Sequence, residues 1–323
     1  MKGTLNTQFI KRVIFLLLAY VIVQLLVSTN IINEYLQATL VTICINIILA
    51  VSLNLITGFT GQFSLGHAGF MSIGAYTCAI ITMRMSTLAG FVIGTLSGAV
   101  MAALVGFIVG LPTLRLRGDY LAIATLGMSE IIRIVFINLD SITNGAAGLN
   151  GIPRFVNWPW LYLFVVGTIV LIRNFLKSSH GRACIAIRED EIAAEAMGIN
   201  TTKYKVLAFI IGAFCAGIAG ALYSSYFYYI KPDLFGFLKS VDILVIVVLG
   251  GLGSISGSVL AAVLLALVST YFQSFPEIRM ILYSLILIII MIFRPQGLLG
   301  SKEISFAVFN RVNKLFAFRK GEK

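Results

Sequence analysis

Apolar runs of about twenty residues recur along this chain from near its start almost to its end, and nothing else in the sequence restricts the fold as strongly. A run of that length crosses a hydrocarbon layer roughly 30 Å thick as a helix. Only helices or a closed barrel satisfy their own backbone groups in such a layer, and barrel strands would read as alternating segments of about ten residues. The runs here are continuous, which selects helices. Composition agrees: of 323 residues, 59% are hydrophobic and 11% charged, against roughly a quarter charged in soluble domains. The expected fold class is an all-α polytopic membrane protein with about ten transmembrane helices, one or two of them broken or re-entrant.

The runs place spans at 9–27, 36–57, 63–83, 88–111, 120–137, 155–176, 205–229, 241–250, 257–273 and 278–293. The eighth is too short to cross alone. It either turns back or continues through 251–256 as a broken helix, which is tolerated only where protein or a watery cavity surrounds it. Lys11 and Arg12 precede the first run as in a signal peptide, but the run is long and no A-x-A site follows, so an uncleaved span is expected. Short cytoplasmic loops carry the excess of Lys and Arg. With the N-terminus inside, 17 of the 24 basic residues fall on the inner side, and Arg84, Arg133, Arg154, Arg173, Lys231, Lys239 and Arg279 fall outside or within spans. Both termini are therefore expected in the cytoplasm, with an even number of crossings. The net charge of +11 is spread over these loops and tails rather than gathered in one patch, so it reads as a topology signal and not as a nucleic-acid surface. The expected organisation is one transmembrane domain over 1–300, containing a cytoplasmic loop at 177–205, and a basic amphipathic tail over 301–323. In the tail, Phe306, Phe309, Val312 and Phe316 share a helical face suited to the lipid interface.

Two stretches concentrate the polar residues. Within 177–205, Asp190 is suited to cap a short helix, Glu191 to favour its positive end, and Gly198 to stop it. Ala193 with Met197, and Ile192 with Ala196, are spaced four apart on one side. A helix of about eight residues is marginal in water, which favours a docking element over a solvated loop. Within 52–76, glycines alternate with Asn54, Gln62, Ser64 and His67, which would be costly facing lipid and so should face other helices or a cavity. His67, a lone histidine, reads more readily as a packed hydrogen-bonding residue than as a ligand. The pattern Gly58-x-x-Gly61-x-x-Ser64 recurs as Gly250-x-x-Gly253-x-x-Ser256, each at the end of an apolar run, and paired glycine breaks of this kind point to a solute path. Glu130 and Arg133 are placed to pair on one helix face near the outer end. Asp119 beside Arg115 and Arg117 suits an inner anchor, and Asp242 at the head of the eighth run is a further path candidate.

The string Arg188-Glu189-Asp190-Glu191 through Ala194, Met197, Gly198 and Asn200 resembles the coupling loop of ABC importer permeases. Ala193, Ala194 and Gly198 match their E-A-A and glycine pattern, while Ile192 stands at the glutamate position and Glu191 lies one residue early. The 52–76 stretch, Gly118-Asp119-Tyr120, Thr143-Asn144-Gly145 with Gly148 and Gly151, and the run 249–253 follow in order. Together they cover roughly 53–297 and are similar to the branched-chain amino acid permeases of the LivH and LivM family, the LivM type in particular. The resemblance implies that Arg188, Glu189, Asp190, Glu191, Ala193, Ala194, Met197 and Gly198 couple to ATPases. Candidates for the path are Asn54, Gly58, Gly61, Gln62, Ser64, His67, Gly250, Gly253 and Ser256. It also implies a bacterial or archaeal cytoplasmic membrane, and as partners a homologous LivH-type permease, two cytoplasmic ATP-binding subunits and an extracytoplasmic solute-binding protein, besides membrane lipid. ATP and Mg would be bound by the partner ATPases and no cofactor by this chain.

No G-x-x-x-x-G-K-[ST] phosphate cradle occurs, nor H-E-x-x-H or G-x-S-x-G, so no catalytic residues are expected and the chain reads as a transporter subunit rather than an enzyme. Cys44, Cys78, Cys184 and Cys215 lack metal-ligand spacing, so no metal site is expected. Leucine, isoleucine and valine are the solutes the resemblance favours. Urea or short amides are the alternative within the family, and an ion-coupled carrier is the alternative outside it, disfavoured by the scarcity of acids within spans.

Overall fold

A computed structural model of the chain describes Leu18, residues 20–29 and 33–272, and the positions 284–285, 288–289, 292–294, 296–300 and 303. The expected span 278–293, the tail 301–323 and the first half of the expected span 9–27 lie largely outside the described residues. The long elements are α1 (Glu34–Asn54), continued by a π turn at Leu55–Phe59, α2 (His67–Arg84), α3 (Leu88–Thr113) and α4 (Asp119–Asn138). After the short α5 (Asp140–Thr143) come α6 (Trp158–Lys177), α7 (Ser179–Glu189), α8 (Glu191–Ala196), α9 (Thr201–Phe227), α10 (Phe237–Gly250) and α11 (Ile255–Tyr271). A two-residue ladder, β1 (Leu149–Asn150) with β2 (Tyr229–Ile230), is the strand pairing among the described residues. Among the described residues, five helices are long and apolar enough to cross a membrane: Glu34–Phe59 and α3, α4, α6 and α9. The fold is that of an all-α membrane protein.

A helix that is apolar on every side has no face to give to water and belongs in the interior. α1 and α9 are of this kind, and both are buried over most of their length. α9 packs along α2 and α3, and α1 carries α10, α11 and α6 on its other sides. Small residues make the inner contacts close: a methyl group on Gly74 of α2 would strike the backbone of α9 at Gly217, and one on Gly217 would strike α3 at Ala99 and Ala102. α4 and α6 bury one stripe only. Ile123, Ile131, Ile134, Leu163 and Val170 on their outer faces stay exposed, as residues meeting lipid tails would be.

Most expected spans map onto helices within a few residues. The starts at 63, 155, 205 and 241 each move by three or four residues; at 155–176 the helix begins at Trp158, after Asn157 as N-cap and with Pro159 in its first turn. A proline in the first turn lacks only an N–H that would be unpaired there anyway.

The connections gather at two ends. At one, Arg117 between α3 and α4 pairs with Glu191, and Arg188 bonds the backbone at Gly58. At the other, Arg133 joins Glu130 at 2.7 Å and also Asp233 at 2.9 Å. At this second end Arg154 lies over the Tyr226 ring at 4.3 Å, among Trp158, Trp160 and Tyr162 of the kind that collect at a membrane interface. The expected eighth span, α10, runs from the second end, just after Asp233, to the first, at Gly250. A helix of its 14 residues covers about 21 Å, and the turn at Gly251–Ser254 sends the chain back along α11.

Candidate functional site

The two glycine breaks, about 190 residues apart in sequence, meet. α1 ends by widening into its π turn, and Gly61 then takes φ +73°. α10 ends at Gly250, with Gly253 at φ +87° before α11 starts. Asn54, fully buried, joins the two. Its amide donates to the Ser254 carbonyl at 2.9 Å and to Ser258 Oγ at 2.8 Å, while its oxygen accepts from the Gly253 N–H at 2.9 Å. One side chain thus holds the turn into α11, bonding the Gly253 N–H and a Ser254 carbonyl that also accepts from the Ser258 N–H. Gly58 must be glycine for this contact, because a Cβ there would lie 1.8 Å from Asn54 Oδ1 and 2.4 Å from the Gly253 nitrogen.

Arg188 closes the junction from the loop side. It is the penultimate residue of α7, and its Nη1 donates to the Gly58 carbonyl at 3.0 Å. Its side chain also covers Gly61 and Gly253, each at positive φ. A Cβ on Gly61 would meet Arg188 Cγ at 3.2 Å, and one on Gly253 would meet Nη1 at 2.7 Å. Glu189 pairs with the same guanidinium. Immediately after, the Asp190 carboxylate accepts from the Ile192 and Ala193 N–H groups at 2.9 and 3.0 Å and caps α8. Glu191 faces inward rather than only complementing the helix dipole. It pairs with Lys205 at 2.7 Å, and Lys205 is 3% exposed. Losing one partner of such a buried pair costs roughly 3–5 kcal/mol, so α8 is tied firmly to the start of α9. Ala194 is buried beneath α8, whereas Ile192 and Met197 stand 71% and 83% exposed on its outward side. Gly198 follows with φ +83° and its N–H on the Glu195 carbonyl.

The sequence suggests one helix inside the 177–205 loop, and the structure has two. The additional helix is α7, where Ser178 caps the start by accepting from the Gly181 N–H and Cys184 and Ile187 form the buried stripe. Cys184 is fully covered, and burial pushes its thiol up to about 11. A neutral, covered thiol is a poor nucleophile. Maleimide at pH 7.5 is therefore expected to leave Cys184 unlabelled in the folded protein and to label it in urea; fast labelling of the native protein would show that α7 does not sit on α9 as described.

The other candidates fall in different places. His67 opens α2, is buried, and lies 2.8 Å from Ser52 Oγ, which fits the packed hydrogen-bonding reading. Gln62 and Ser64 make only local contacts in the same turn. Gly250 packs against Gly257, so α10 and α11 meet closely. Ser256 is turned away from Asn54, its Oγ donating to the Glu303 carboxylate at 3.0 Å, and Glu303 also accepts from the Ile255 N–H at 2.6 Å. None of these residues lines the cavity of about 740 Å³ found nearer the other end, between α1, α10 and α11. Lys239 and Asp242 do line it. The sequence alone marks Lys239 only as a basic residue outside or within a span.

Comparison with known proteins agrees with this architecture. The family model described as branched-chain amino acid transport system / permease component matches residues 35–291. The chain is 39% identical over 289 residues to the high-affinity branched-chain amino acid transport system permease protein LivM of Salmonella typhimurium, covering 79% of this chain and 68% of that one. Identity to LivM of Escherichia coli K12 is 38% with the same coverage. The LivH permease of that organism is 27% identical over 290 residues, covering 80% of this chain and 92% of LivH. With a match over most of its length and a multi-helix membrane fold, the chain is a transport subunit rather than an enzyme, and it belongs to the permease component family of branched-chain amino acid transport systems.

Proposed function

We propose that this chain forms one half of the membrane pathway of an ATP-driven importer for leucine, isoleucine and valine in a bacterial or archaeal cytoplasmic membrane. The other half is a LivH-type permease. Two cytoplasmic ATPases that bind ATP and Mg supply the energy, and an extracytoplasmic binding protein delivers the solute. Relatives named for branched-chain amino acid transport support the solute class.

The observation that carries the mechanism is the Arg188 contact, because it ties the loop that bears α8 to both glycine breaks. The exposed Ile192 and Met197 give α8 a small apolar face for a groove on an ATPase. Closure of the ATPases around ATP pushes α8, and Arg188 passes the movement to the ends of α1 and α10, where the breaks let the helices reorient between outward- and inward-open states. The end that holds Arg115, Arg117, Lys177, Arg182, Arg188 and Lys203 is rich in basic residues, which supports placing it in the cytoplasm with both termini. Ten crossings follow if 9–27 and 278–293 both span.

Met197→Asp puts a charge on the docking face, and Gly198→Pro removes the positive φ and the N–H that end α8. Each is expected to lower solute-stimulated ATP hydrolysis by the assembled importer about tenfold or more, with the permease still present in the membrane. Wild-type coupling in both variants would remove the docking role. In the same vesicles, uptake of labelled leucine is expected; uptake of urea without leucine would contradict the solute assignment.

A further inference from the structure

Charged side chains within membrane spans are costly, and where they occur they turn toward the bundle interior or a watery cavity and mark solute pathways. α10 carries two of opposite sign, Lys239 and Asp242, spaced i, i+3 and so on one face of the helix. Both line the cavity of about 740 Å³ between α1, α10 and α11. Its size lies within the range of roughly 300–1,000 Å³ usual for small-molecule sites. Lys239 Nζ is 3.5 Å from Asn46 Oδ1 on α1, so the ammonium reaches across the cavity from one helix toward the other. Ile246, Leu265 and Ala266 contribute apolar wall. These residues lie in the half of the bundle nearer Asp233 and Arg154, the end proposed to receive solute from outside.

An ammonium and a carboxylate on one face, with apolar wall in the same cavity, match a molecule that carries both charges at one end and hydrocarbon at the other. We propose that this cavity is a transit site for the main-chain zwitterion of an aliphatic α-amino acid, Lys239 taking its carboxylate, Asp242 its ammonium, and Ile246, Leu265 and Ala266 its side chain. This rests on the importer function proposed above and adds to it a means of recognition within the permease. Urea and simple amides, having no net-charged groups, gain nothing from such a pair. A phospholipid headgroup with an amine and a phosphate has the same paired charges, and the test separates it from a free amino acid.

The test uses the whole importer in proteoliposomes, with labelled leucine presented by the binding protein. Lys239→Gln and Asp242→Asn are each expected to raise the KM for uptake about tenfold or more, the loss of one charge-assisted contact. Lys239→Arg keeps the charge and is expected to stay within about threefold of wild type, which distinguishes lost recognition from a misfolded permease. A photoreactive diazirine leucine should label residues within 35–46 or 237–250 in the wild type. Excess leucine should displace it; 3-methylbutylamine and 4-methylpentanoate, each lacking one charge, should not. The labelling should be equal in phosphatidylglycerol vesicles and in vesicles containing phosphatidylethanolamine. Strong suppression by phosphatidylethanolamine would assign the site to lipid and overturn the proposal. Normal leucine KM in both neutralised variants would overturn it while leaving the importer function standing. A wild-type importer that takes up urea and not leucine would overturn both.

Discussion

Arg188→Ala is expected to cut solute uptake by the assembled importer at least about tenfold, and Arg188→Lys to recover little of it. A hydrogen bond from a charged donor to a buried carbonyl is worth roughly 1.5–3 kcal/mol, and this one links a loop to two helix ends that have few other ties to it. The guanidinium bonds the Gly58 carbonyl while its flank covers Gly61 and Gly253. A lysine ammonium is a single point donor and lacks the planar fork that fills this space. Uptake per permease molecule, measured beside ATP hydrolysis, checks the result. The expected signature is a fall in uptake that exceeds the fall in hydrolysis, because α8 and its ATPase-facing residues remain in place through the Glu191 and Lys205 pair. Wild-type uptake in Arg188→Ala would show that the loop acts on the spans by some other contact.

Gly58→Ala is expected to abolish transport with a smaller effect on the amount of folded protein. The added methyl would overlap Asn54 Oδ1 and the Gly253 backbone, so the two breaks must separate and the Asn54 bonds to the α11 turn must break. Overpacking of this kind typically costs about 1–3 kcal/mol, which a buried multi-helix core tolerates but a junction that must hold both breaks together as they move does not. By contrast, Gly127→Ala on α4, where a methyl meets nothing within 4 Å, is expected to transport normally. Uptake assays on both variants, with membrane levels measured by immunoblot, make the comparison. Equal transport by Gly58→Ala and Gly127→Ala would mean that the contact between the breaks has no part in the cycle.

Much of this arrangement is legible in the sequence because the membrane imposes a simple rule. Long apolar runs must be helices there, so α1, α3, α4 and α9 appear near their expected bounds. Asp190 and Gly198 are visible as the ends of a helix since capping depends on local residue chemistry. The repeated glycine pattern points to two breaks, but periodicity says nothing of which elements touch. Their meeting through Asn54 is a tertiary fact. So is the reach of Arg188 into that junction, for one basic residue in a loop of several carries no mark of its own. α7 is not legible because its apolar stripe is short and interrupted by charge, and its packing on α9 rather than its propensity makes it a helix. Lys239 is a further case: counting places it outside or within a span, and its position against the cavity between α1, α10 and α11 is a tertiary fact.

For Arg188 to carry the stroke, the loop and the breaks must move as one body, and a distance measurement tests that directly. Glu195 of α8 and Leu252 are both exposed, and neither belongs to the Arg188 contact or to the Ile192 and Met197 face, so each can carry a spin label after replacement by cysteine. Pulsed electron resonance on the whole importer, with and without trapped ATP, reads the separation of α8 from the turn between α10 and α11. One narrow distance, the same in both states, is the predicted result. A separation that shifts by several ångströms when ATP is trapped would mean that α8 slides past the breaks, contradicting the idea that Arg188 carries the stroke into the membrane.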